Sequence, residues 1–101
     1  MAEQLHPDSG ARYLLEREAI DDDGSSARYL ASVFTPTERI DRMATLRRDG
    51  TVTLAETADA LSDKQRKRLL AHARQVARDV DQRRQDGLPP WPQRVLRWRA
   101  D

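Results

Sequence analysis

The residues of this chain best suited to chemistry are cations. Lys64, Arg66, Lys67 and Arg68 fall within five consecutive positions, and Arg74 and Arg78 continue the run. Ammonium and guanidinium groups so gathered neutralise phosphates, each of which releases condensed counterions. About four to eight such contacts supply most of a nonspecific nucleic-acid affinity that falls steeply with salt. The first four of these cations also fall just after a helix start at Ser62, where backbone N–H groups favour phosphate.

The basic run sits in a chain whose charge is divided. Residues 1–61 hold seven Arg against twelve Asp and Glu, a balance of −5, and residues 62–101 hold eleven Lys and Arg against five Asp, a balance of +6, which together give the net +1. Asymmetry of this kind points to an acidic or nucleic-acid partner. Asp63, Asp79, Asp81 and Asp86 dilute the basic segment, and its cations have a second possible use, pairing with the acidic N-terminal part. Two partners therefore compete: nucleic acid, with DNA favoured, or an acidic protein. A third arrangement has the acidic part imitate nucleic acid toward a basic protein.

Trp91 and Trp98 interleave with Arg94, Arg97 and Arg99, a composition that suits base stacking with phosphate contact. A Pro-rich strap that lays its Trp across a helix groove to close a core uses the same residues, and the burial preference of large apolar groups favours that use. Trp98, near the end of the chain, is the candidate partner anchor.

Catalytic chemistry finds little footing. His6 and His72 are the only histidines, cysteine is absent, and no Ser has a spacing that pairs with either imidazole. Asp21-Asp22-Asp23-Gly24 has the acidity of a calcium loop, but its carboxylates do not alternate and the twelfth position is Ser32 rather than Glu. Four glycines scattered at 10, 24, 50 and 87 make no phosphate loop. The expectation is a noncatalytic protein with no metal and no cofactor.

The elements that must position these residues read as helices. Thr35/Glu38, Thr53/Glu56 and Ser62/Gln65 each have capping-box spacing, in which the hydroxyl and the carboxyl or amide exchange hydrogen bonds with first-turn backbone. Apolar residues cluster at Leu14, Leu15 and Ala19, at Tyr29, Leu30, Val33 and Phe34, and at Ile40, Met43 and Ala44. Thr51–Leu54 alternates but is too short for an independent strand, so it reads as a loop. The spacing predicts an all-α fold: one helical domain over 1–101 with frayed ends at 1–8 and 99–101. It comprises a small bundle of four or five helices, a long basic helix over about 62–86, and the Pro/Trp-rich C-terminal strap. A helix-turn-helix around Ser62 fails at its packing positions, which fall on the charged Asp63 and Arg68.

The long helix carries Leu69, Ala73, Val76 and Val80 at close to heptad spacing, which predicts pairing in a homodimer. Leu, Ile, Val and Phe total only 19, a small core that gains from dimerising. No apolar run approaches the roughly 18 residues of a membrane span, and residues 1–7 lack a signal-peptide pattern, so a cytoplasmic protein with no membrane partner is expected. The leading function is a small regulatory or accessory protein that binds nucleic acid through Lys64, Arg66, Lys67, Arg68, Arg74 and Arg78. The rival is a protein-interaction module: an inhibitor, antitoxin or assembly chaperone.

Overall fold

A computed structural model describes residues 4–56 and 61–100 of the chain. It overturns the all-α bundle. The strands are β1 (Ala11–Ile20), β2 (Ser26–Phe34), β3 (Arg39–Arg47), β4 (Val52–Leu54) and β5 (Arg94–Arg99), and they form one antiparallel sheet in the order β4-β3-β2-β1-β5. Helix α1 (Asp63–Arg78) and the short α2 (Val80–Gln85) connect β4 to β5, carrying the chain across one face from one sheet edge to the other.

Three segments expected to be helical are strands: β1 and β2 bury residues on both faces, whereas β3 alternates, with Arg39, Asp41 and Met43 exposed on one face. Tyr13, Leu15, Tyr29, Ala31, Val33, Ala44, Leu46 and Leu54 form the helix-side core with Leu69, Ala73, Val76, Ala77, Val80 and Trp91. On the opposite face Leu14 and Phe34 are also buried. There the His6 ring stands edge-on to Phe34 with centroids 5.4 Å apart, and its Nδ1 donates to the Thr35 carbonyl at 2.8 Å. A strand buried on both sides carries apolar doublets such as Leu14-Leu15 and Val33-Phe34, and these imitate the i, i+1, i+4 pattern of a helix.

The capping signatures divide. Thr35 Oγ1 does accept from the Glu38 N–H at 3.0 Å, but with the Thr35 N–H donating to the Glu38 carbonyl at 2.9 Å it closes the β2–β3 hairpin rather than opening a helix. Thr53 lies within β4, so Thr51–Leu54 is the edge strand rather than a loop, its partner supplied by β3. Ser62 is a true N-cap: its Oγ accepts from the Gln65 N–H at 3.0 Å and its N–H donates to Gln65 Oε1 at 3.1 Å. Residues 57–60, part of the first helix of the helix-turn-helix considered for this region, lie outside the described residues, as do the expected frayed positions 1–3 and 101.

Asp49-Gly50 turns β3 into β4, with Gly50 at φ +91°, a conformation that favours glycine. Gly10, at φ +69°, leads into β1 so close to β5 that a Cβ there would stand 2.3 Å from the Arg99 carbonyl oxygen. The expected last helical turn over 93–100 is the strand β5.

The stripe of Leu69, Ala73, Val76 and Val80 lies against the sheet of its own chain. It is therefore not free to pair with a second copy, and the helix-mediated homodimer loses its surface. Among the described residues no helix is long and apolar enough to cross a membrane.

Candidate anion-binding groove

Since α1 lies over β1 to β4, the edge strand β5 extends beyond its flank. Between helix and strand runs a cleft of about 930 Å³. Along β5, alternation sends Val95, Arg97 and Arg99 to the helix side, in register with Leu15, Tyr13 and Ala11, and sends Arg94, Leu96 and Trp98 the other way. The opposing wall is α1, with Arg68, Ala71, His72, Arg74, Gln75 and Arg78. Arg83, Pro89 and Pro92 close one end.

Eight arginines border this cleft (Arg17, Arg68, Arg74, Arg78, Arg83, Arg94, Arg97 and Arg99); with Arg94 directed to the other sheet face, seven remain against one carboxylate, Asp79, a balance of +6 among the described residues. Several are held by neutral acceptors, which fix a guanidinium without cancelling its charge. Arg17 Nη1 donates to the Trp91 carbonyl at 2.7 Å, Arg68 Nη1 to the Ala100 carbonyl at 2.8 Å and Arg83 Nε to the Pro89 carbonyl at 2.8 Å. Arg74, Arg78, Arg97 and Arg99 are exposed and take part in none of the ion pairs among the described residues. Converging like charges with low-dielectric walls focus the local field and favour a polyanion.

His72 sits within this cationic wall. Its Nε2 donates to the Val95 carbonyl at 3.3 Å, so the imidazole carries its proton there and leaves Nδ1 as an acceptor. Burial lowers its pKa below 6.5, and the Arg97 and Arg99 charges add to the shift against the opposing hydrogen bond to Val95. At the closed end the Tyr29 hydroxyl donates to the Pro92 carbonyl at 2.6 Å. Burial pushes that phenol up to about 12, while Arg17 and Arg83 pull the other way.

The six cations expected to act together are dispersed. Arg68, Arg74 and Arg78 line the groove, whereas Lys64 and Lys67 are exposed and lie outside its lining. Arg66 turns toward the end of β4 and makes a two-pronged pair with Glu56 at 2.7 and 2.9 Å, which lowers the Glu56 pKa and raises that of Arg66. Arg48 on the β3–β4 turn pairs with Asp81 at 2.6 Å. Thus the acidic part of the chain engages α1 at Arg66, and its own Arg48 takes up Asp81.

Trp91 is buried under the β1–β2 loop, where its Nε1–H donates to the Gly24 carbonyl at 3.0 Å. Trp98 is half-exposed on the sheet face away from the groove and donates from Nε1 to the Ser9 carbonyl at 3.0 Å.

Arg17, Arg83 and His72 belong to the groove without having been expected as binding residues, and Arg97 and Arg99, expected only as phosphate contacts beside Trp91 and Trp98, act instead with the helix wall. Arg97 and Arg99, two apart beside Val95, carry a strand-period signal that places both on one face of a β-strand. Arg17 and Arg83 reach the groove through tertiary packing, for which the sequence holds no signal. No known protein family matches the chain, and no characterised protein or solved structure shows significant similarity to it.

Proposed function

We propose that this protein is a noncatalytic regulatory or accessory protein that binds nucleic acid in the groove between α1 and β5. The observation that carries the reading is the lining itself: seven arginines and a single carboxylate in one cleft, four of the arginines (Arg74, Arg78, Arg97 and Arg99) set on the opposed helix and strand walls. A charge density of this kind attracts polyanions, and phosphodiester chains fit it by releasing condensed counterions on contact.

A second reading rests on β5 as an edge strand, whose outer side has no neighbouring strand among the described residues. An acidic extended peptide could add there as a sixth strand, with its carboxylates on Arg97 and Arg99. Titration with fluorescent oligonucleotides over a range of salt separates the two. Nucleic-acid binding that weakens with a log–log slope of about −3 supports the first reading. Absence of binding even at low salt removes it and leaves the peptide.

A further inference from the structure

We infer, resting on the nucleic-acid reading, that the groove takes one single strand by its phosphates without reading its bases, and prefers that strand to a duplex. The cations face inward from opposite sides. Arg74 and Arg78 belong to the helix wall, Arg97 and Arg99 to the strand wall, so a chain lying between them meets charge on both flanks. Proteins that read duplex DNA insert a protruding helix or ribbon into a groove of about 12 Å. Here α1 has its apolar face on the sheet and one flank recessed beside β5, so the basic surface is concave toward the ligand.

Spacing agrees with this arrangement. Arg97 and Arg99 are two residues apart on one strand face, about 6.6 Å along it. Arg74 and Arg78 are one turn apart, about 6 Å. Both walls therefore repeat their charge on the scale of neighbouring phosphates in an extended strand.

Base recognition has little to work with. Stacking needs an exposed aromatic face, and of the aromatics near the groove Tyr13 and Trp91 are each 2% exposed. Trp98 offers a face, but on the other side of the sheet, beside Arg12 in the register. Gln75, an amide on the helix wall, is tied to Asp79 Oδ1 at 2.9 Å.

Shape and charge make opposite demands, which gives the inference its edge. A ligand chosen by charge alone would be duplex, because its phosphates are denser and release more counterions per contact. The test measures fluorescence anisotropy at fixed low salt with four probes: oligo-dT and a mixed-sequence strand of about 15 nucleotides, the duplex of the latter, and long-chain inorganic polyphosphate as competitor. The two strands are expected to bind within about threefold of each other, the duplex about tenfold more weakly, and polyphosphate to displace both. The double variant Arg97→Glu/Arg99→Glu, at exposed positions, should lose strand binding while circular dichroism stays that of the parent. Arg28→Glu on the opposite sheet face should change nothing.

Duplex binding equal to or tighter than single-strand binding overturns the inference. So does a preference above tenfold between the two sequences, or a strand that polyphosphate fails to displace. Failure of every nucleic acid to bind is a different result and defeats the underlying function. If Arg97→Glu/Arg99→Glu proves misfolded, Arg74→Glu/Arg78→Glu on the helix wall tests the same groove and should lose binding in the same way.

Discussion

Neutralising two exposed groove arginines, Arg74→Gln with Arg78→Gln, should lower both the affinity for a single strand and its dependence on salt. Four exposed groove cations (Arg74, Arg78, Arg97 and Arg99) lack a carboxylate partner among the described residues. At about 0.7 counterions released per single-strand phosphate contact, four contacts give a log–log slope of about −2.8, and the double variant should retain about −1.4. Each contact contributes about 1 kcal/mol at roughly 0.1 M salt, so the pair accounts for about 2 kcal/mol, roughly a thirtyfold rise in Kd. Anisotropy titrations between roughly 0.03 and 0.2 M salt measure both quantities. Arg66→Gln is the matched control. It removes one charge from the same helix, but that charge already lies on Glu56, so the slope should stay within error of the parent rather than fall by the roughly 0.7 expected per lost contact. An unchanged slope in the groove variant, or an equal fall in the Arg66 variant, would refute the assignment of binding to the groove.

Three further perturbations test the framework that holds the groove. Ser62→Ala deletes one half of the reciprocal cap at the start of α1 and should cost about 1 kcal/mol, read as a melting-temperature drop of roughly 4–8 °C; no change would mean the cap is redundant. Trp91→Ala removes a buried ring and its hydrogen bond to the Gly24 carbonyl, and should cost about 3–5 kcal/mol in urea unfolding. A loss under about 1 kcal/mol would show that the strap does not close the core. His72 is held below its ordinary 6.5 chiefly by burial, so the fold favours the neutral ring. Its contribution to stability is full above 6.5 and declines as pH falls toward the depressed native value. His72→Gln should flatten that part of the stability–pH curve, and a parallel curve would contradict the assignment.

What the sequence made legible was whatever is set within a few residues. The Ser62 cap, the apolar stripe of α1 and the stop at Gly87 are local, and each stands where its spacing put it. The strands were misread because their signal is relational. Leu14 and Leu15 point to opposite faces of β1 and both are buried, which only tertiary packing decides, and Val52–Leu54 becomes a strand only when β3 supplies its ladder. Thr35-Pro36-Thr37-Glu38 illustrates the ambiguity. The side-chain hydrogen bond that its spacing implied is present, and it serves a hairpin, since a hydroxyl that accepts from the N–H three residues on stabilises either kind of reversal. Half of the groove's helix wall was similarly legible as a basic helix, while the strand wall waited on the pairing of β5 with β1.

That pairing explains how the charge boundary at Ser62 becomes a boundary in space. The forty residues after it contribute both walls of the groove, because the helix carries the chain past β4, β3 and β2 and sets β5 beside β1 at the far edge. Had β5 instead paired with β4, Arg97 and Arg99 would lie near Glu56, whose carboxylate already pairs with Arg66. Placed beside β1, the strand meets Glu16 opposite Arg94, on the face away from the helix, and meets Tyr13 and Ala11 opposite Arg97 and Arg99. The strand order thus withholds carboxylates from the groove side of β5. Charged residues on an edge strand also oppose edge-to-edge pairing with a second copy, which would bring like charges together. Among the described residues, topology therefore leaves Arg97 and Arg99 without a facing carboxylate on β1 while protecting the edge that they form, and both effects depend on the same two arginines.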